Sequence, residues 1–152
     1  MSARNVAEFA TFSLFSKNSG SKGMSVRVLL VEDDPLIREM IAGELQDEGF
    51  DVIQAADGGE ALSRVGQHVP DVLVTDVVLP GGMNGWQIAE RCRQHHPRLP
   101  VVYASGFSPV EARPVPGSLS VRKPYHPAEI VEAVRQLTGQ ASERGSRQGV
   151  PR

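Results

Sequence analysis

The chain reads as one α/β domain, a parallel sheet of five strands with helices on both faces. Three observations predict it. From residue 26 onward, apolar stretches of strand length alternate with stretches of helical period, joined by short links. The stretch 72–79, Val-Leu-Val-Thr-Asp-Val-Val-Leu, is apolar on both alternating faces, as a strand covered on both sides must be. Two strands end in acids, Asp76 in the central one and Glu32-Asp33-Asp34 after the first. The carboxyl edge of such a sheet is where ligands gather.

The elements follow in order. Residues 1–24 are rich in Ser, Asn, Gly and Lys, with Phe9, Phe12 and Phe15 recurring at threes. Glu8, Thr11 and Ser13 interrupt any apolar centre, so no secretory signal is read there. The expectation is a disordered extension, or a start assigned too early, because Met24-Ser25 opens directly onto the first strand. The domain is placed at 25–139. Its first strand is 26–31; Asp34 then suits a cap and Pro35 a first helical position. Ile37, Met40, Ile41 and Leu45 repeat at helical spacing, and Gly49 stops the helix.

A second strand is expected at 52–55. A turn at Asp57-Gly58-Gly59 leads to a short helix marked by Ala61, Leu62 and Val65. After the central strand, a loop through Met83-Asn84-Gly85 opens a third helix with Trp86, Ile88, Ala89 and Cys92. His95 and His96 close that helix, where positive charge is favoured. Pro97 and Pro100 bracket the approach to a fourth strand at 101–105. Between 106 and 118, Pro109, Pro114, Pro116 and Gly117 leave room only for a short or distorted helix. The fifth strand is 119–122. His126 and Pro127 begin a last helix with Ile130, Val131, Val134 and Leu137 inward, ended by Gly139. Residues 140–152 read as a disordered polar tail.

Composition narrows the function. With 152 residues and 40% hydrophobic content, one cored domain fits and little else. A net charge of −2 gives no basic footprint, so nucleic acid is not an expected direct partner. One cysteine, Cys92, excludes an internal disulfide and a multi-cysteine metal site; its helical setting suits a small buried apolar residue. No apolar stretch is long enough to span a bilayer, and a cytoplasmic protein is expected.

Four strand ends carry polar groups: Glu32-Asp33, Asp76, Ser105 and Lys123. Parallel strands put all four at one edge. Three carboxylates converging there repel one another, and a hard divalent cation such as Mg²⁺ removes the repulsion. Lysine and serine add a fixed cation and a hydroxyl, a set suited to the oxygens of a phosphoryl group. A carboxylate is itself a competent nucleophile toward phosphorus. Taken singly, an Asp at a strand end is a common turn residue, Ser105 suits a turn with Gly106, and Lys-Pro is frequent. The set of five together favours chemistry.

Residues 26–137 resemble the receiver domain of two-component response regulators. The matching pieces are Val28-Leu29-Leu30-Val31-Glu32-Asp33-Asp34, Asp71-Val72-Leu73-Val74-Thr75-Asp76, Leu99-Pro100-Val101-Val102-Tyr103-Ala104-Ser105-Gly106 and Val121-Arg122-Lys123-Pro124-Tyr125. The resemblance implies a flavodoxin-like sheet of order 2-1-3-4-5. It implies Asp76 as phosphoacceptor, Asp33 as direct Mg²⁺ ligand, Glu32 as a ligand through water, and the Val78 backbone carbonyl as the last protein ligand. Ser105 matches the hydroxyl that turns toward the phosphoryl group, and Lys123 the lysine that pairs with one of its oxygens. A histidine kinase or histidine phosphotransfer protein is the implied donor, with a downstream protein partner that the sequence does not name. The Lys-Pro-Tyr and Gly-Gly-Met-Asn-Gly segments also resemble receivers attached to hybrid histidine kinases.

Two departures stand out. Many receivers carry a switch aromatic three residues before the lysine; here that position is Ser120. Val78 and Phe107 flank the expected pocket with apolar side chains where polar ones orient an attacking water, which predicts slow self-dephosphorylation. The reading is therefore a stand-alone phosphoacceptor domain rather than an enzyme in the usual sense. The alternative is a phosphorylation-independent interaction module of the same fold. A Mg²⁺-dependent aspartyl phosphatase typically needs a second acid where Val78 stands, and a nucleotide-binding module needs a Gly-rich turn after the first strand.

Overall fold

Alternation along the strands divides the core into two layers. The structure, a computed structural model, describes residues 25–108 and 110–139. The expectations for 1–24, for Pro109 and for 140–152 lie outside the described residues. Five strands form the sheet: β1 (Arg27–Val31), β2 (Asp51–Ala55), β3 (Val72–Asp76), β4 (Val101–Ser105) and β5 (Leu119–Arg122). Every neighbouring pair is parallel, and the spatial order is β2-β1-β3-β4-β5, the order implied by the resemblance.

Val28, Leu30, Val72, Val74, Val102 and Val121 turn to one face, against α1 (Pro35–Asp47) and α4 (Pro127–Thr138). Leu29, Val31, Leu73, Val101 and Tyr103 turn to the other, against α2 (Gly58–Gln67) and α3 (Gly85–His95). The period-2 strand pattern thus meets an apolar helix stripe on each side. All five residues of β3 are buried, as expected for a central strand.

Caps fix where each helix starts. Asp34 accepts from the Leu36 and Ile37 N–H groups with Pro35 at the first helical position. Asp57 accepts from Glu60 N at 2.8 Å, so Gly58 and Gly59 lie inside the first turn of α2 instead of in a turn before it. Asn84 and Gln87 cap each other reciprocally at the start of α3. The Glu129 carboxylate accepts from His126 N, which places His126 at the N-cap of α4. Gly49 and Gly139 take positive φ values of 95° and 87° just past α1 and α4, a conformation favouring residues without Cβ.

The short or distorted helix expected between β4 and β5 is not formed among the described residues. Prolines at 114 and 116 remove the donors and clash with the turns such a helix needs. The segment is instead pinned to the rest of the domain by side-chain contacts. Buried Val115 donates its N–H to Tyr103 Oη at 3.1 Å, and Ser118 closes a turn on the Val115 carbonyl. Arg113 also pairs with Glu90 of α3 at 3.2 Å.

Candidate functional site

Strand register assembles the site. Val31 pairs with Thr75, so Glu32, the residue just past β1, follows beside Asp76, the last residue of β3. Asp76 pairs with Ala104, which sets Ser105 one residue further along β4. Lys123 follows β5, and its N–H donates to the Ser105 carbonyl at 2.8 Å. All four strand ends named from the sequence therefore meet at the carboxyl edge.

Asp76 is buried, 6% exposed, and both carboxylate oxygens are engaged. Oδ1 accepts from Val77 N at 2.8 Å, and Oδ2 accepts from Lys123 Nζ at 3.0 Å. The Asp76 carbonyl accepts from Thr75 Oγ1 at 2.8 Å. Glu32 is also buried, and its Oε2 accepts from Asp34 N at 3.0 Å. Asp33 is exposed. One carboxylate oxygen from each of Glu32, Asp33 and Asp76 lies within 4.8 Å of the other two.

At that spacing two carboxylates repel by about 3 kcal/mol at an effective dielectric near 20. Lys123 offsets only part of this at Glu32. Burial pushes its carboxyl from the ordinary 4.5 up to about 7, against the Asp34 N–H bond that favours the ion. The charges of Asp76 and Asp33 add to the rise, and Lys123 opposes it. Desolvation pulls the Lys123 ammonium down, but the hydrogen bond and charge of Asp76, with Glu32 and Asp33 behind it, leave it above the usual lysine value. A cluster of three carboxylates balanced by one lysine fits a hard divalent cation. The donor set is oxygen only, with an exposed member through which water reaches it.

Other expectations find their places. Asp34 caps α1, and Cys92 is buried, which pushes its thiol up to about 11. Trp86 and Tyr103 are buried together, ring centroids 4.4 Å apart. Ser120 is exposed on β5 and pairs in register with Tyr103. Residues in register share a sheet face, so the aromatic on this face sits one strand inward of the Ser120 position. Val78 and Phe107 are exposed, 52% and 89%. Tyr125 packs against the α1–α4 layer, and its buried Oη has no hydrogen-bond partner among the described residues.

Sequence reasoning missed two supporting residues. Gly85 sits where any Cβ would run into the Asp76 carbonyl oxygen and the Val77 backbone, and its N–H donates to the Val77 carbonyl at 2.8 Å. The run Gly81-Gly82-Met83-Asn84-Gly85 hid it, because three glycines in one loop do not say which is needed for close approach. Arg38 donates Nη1 to the Glu32 carbonyl at 2.7 Å. Its only sequence signal is a cation six residues past an acid, which is common on helices.

Comparison with known proteins agrees. Residues 28–135 match the family described as response regulator receiver domain. The probable transcriptional regulatory protein TcrX of Mycobacterium tuberculosis is 35% identical over 119 residues, 76% of this chain and 50% of the relative. The response regulator receiver protein CpdR of Brucella abortus is 30% identical over 115 residues, 73% of this chain and 95% of the relative. A response regulator receiver protein from Sinorhizobium medicae superposes with a TM-score of 0.71 at 31% identity, covering 76% of this chain and 95% of that one. The chain spans about half the length of the first curated relatives it matches. With the family matched over most of the chain and a receiver structure superposing on its fold, this chain belongs to the response regulator receiver domains of two-component signalling.

Proposed function

We propose that the domain accepts a phosphoryl group on Asp76 from a phosphohistidine of a sensor kinase or phosphotransfer protein. The observation that carries this is the placement of Lys123 Nζ 3.0 Å from Asp76 Oδ2, beside Glu32 and Asp33. In the transfer an Asp76 carboxylate oxygen forms the new O–P bond. The P–N bond of the donor breaks, and its electron pair stays on the imidazole nitrogen. Lys123 follows the charge from the carboxylate to a phosphoryl oxygen. Ser105, one residue past the register partner of Asp76 and joined to Lys123 through its carbonyl, supplies a hydroxyl to another.

Glu32, Asp33 and Asp76 are the residues that would hold Mg²⁺, with the Val78 carbonyl completing the protein ligands. When bound, the cation neutralises charge on the transferring group. Val77 N, bonded to Oδ1, orients the Asp76 carboxylate without the cation. The loaded domain signals by binding a downstream protein or by passing the group on. The domain proper is 25–139, and its proposed place is the cytoplasm; among the described residues no helix is long and apolar enough to cross a membrane.

Phosphoramidate, which carries a P–N bond like that of phosphohistidine, tests the reading. With Mg²⁺ present, phosphorus NMR should show an acyl phosphate signal that disappears on adding a chelator beforehand. A chain that stays unmodified under both conditions contradicts it.

A further inference from the structure

Glu32 enters the site from a backbone that has left the sheet. Its N–H still donates to the Ala55 carbonyl at 3.0 Å, but β1 pairing ends at Val31, opposite Ala55 and Thr75. Its own carbonyl is taken by Arg38, whose Nη1 donates at 2.7 Å. The same guanidinium donates Nε to Gln54 Oε1 on β2 at 3.2 Å. Arg38 is also tied to the loop through its backbone, donating N–H to the Asp34 carbonyl at 2.8 Å. Asp34 in turn donates its N–H to Glu32 Oε2 at 3.0 Å. The bonds close a ring from Glu32 through Arg38 and Asp34 back to the Glu32 carboxylate, with Gln54 anchoring it to the sheet.

The stretch so enclosed, 32–34, carries two of the three clustered carboxylates. Asp33 is solvent-exposed, so its carboxylate takes its position from this backbone. A shift of the loop moves both acids relative to Asp76, which sits on a separate, fully buried strand. A guanidinium fits this position because it stays charged at any working pH and its planar fork serves two acceptors at once. A lysine ammonium in its place reaches one acceptor as a point charge.

We propose that Arg38, held by Gln54, is a positioning residue for the cation site, setting the 32–34 backbone so that Glu32 and Asp33 face Asp76 together. The proposal rests on the reading of that cluster as a divalent-cation site. The Arg38 side chain is bonded to the Glu32 carbonyl and to Gln54 Oε1, so it acts on the cluster through the Glu32 backbone. Supports of this kind around a metal site are worth about 10- to 100-fold in affinity.

The test is calorimetric titration of the full chain with Mg²⁺ alone, alongside thermal unfolding in chelator. Arg38→Ala should weaken Mg²⁺ binding about tenfold. Arg38→Lys should recover part of that loss, and Gln54→Ala should produce a smaller fall. The double variant Arg38→Ala with Gln54→Ala should bind no worse than Arg38→Ala alone, since both act by one route. If Arg38→Ala does not fold, Gln54→Ala and Arg38→Lys carry the same comparison. Variants that lose thermal stability yet keep the wild-type affinity within about twofold overturn the proposal and leave Arg38 a structural clamp. A wild type that takes up no Mg²⁺ overturns the cation reading and the positioning role with it, whereas binding equal in wild type and variants overturns the positioning role alone.

Discussion

Lys123 Nζ and Asp76 Oδ2 stand 3.0 Å apart, joined across 47 residues of sequence and across the width of β4. The carboxylate is nearly buried while the lysine side chain is 33% exposed. Lys123→Ala should therefore destabilise the metal-free domain at neutral pH by about 2 kcal/mol, below the roughly 3–5 kcal/mol of a fully buried pair. Three carboxylates would be left within 4.8 Å without their cation, so adding Mg²⁺ should narrow the deficit. Urea unfolding with and without Mg²⁺ measures both; equal stability of variant and wild type would show that the pair contributes nothing.

Glu32 sets a pH dependence of definite sign. Its carboxyl is raised on folding, so the folded chain binds the proton more tightly than the unfolded one. The resulting stabilisation is complete below about 4.5 and is lost as pH rises through about 7. In chelator, the Glu32 contribution to stability should fall by about 2 kcal/mol across that window. Glu32→Gln should flatten the profile there and be the more stable protein at pH 8. A pH series of melting temperatures decides it, and identical slopes in the two proteins would remove Glu32 as the cause.

The 106–118 segment is held by the bond from Val115 N to Tyr103 Oη, two residues before Ser105 on the same strand. Tyr103→Phe leaves a buried N–H without its acceptor and should cost about 1–3 kcal/mol. In the wild type, loading the site with a beryllofluoride phosphoryl mimic should change amide exchange across this segment, because motion at Ser105 reaches it through β4. Unchanged protection at Val115 and Ser118 would rule the segment out as the responding element.

Val78, two residues after Asp76, and Phe107, two residues after Ser105, are exposed and apolar and offer no group to orient a water for attack on phosphorus. The aspartyl phosphate should be long-lived, and Val78→Asn should shorten its lifetime. Decay of the wild-type phosphoprotein within seconds, followed after removal of the donor, would contradict this.

Much of the fold was legible because the signals are local. Branched apolar strands, Asp34-Pro35, and Gly49 and Gly139 at positive φ each announce their element without reference to the rest. The carboxyl-edge cluster was legible for a related reason: parallel strands make the residue after each strand a neighbour of the others. The route from 106 to 118 was not, because its buried anchor depends on Tyr103 and Val115 meeting, which no periodicity encodes. Gly85 and Arg38 escaped for the same cause. Their significance lies in what the Asp76 and Glu32 carbonyls need, and that appears only once the backbone has been folded back.

Intact-mass measurement after incubation with acetyl phosphate and Mg²⁺ tests the central claim most directly. Wild type should gain the mass of one phosphoryl group, and Asp76→Ala should gain none. An unmodified wild type, or a phosphoryl group appearing equally on Asp76→Ala, would contradict the account.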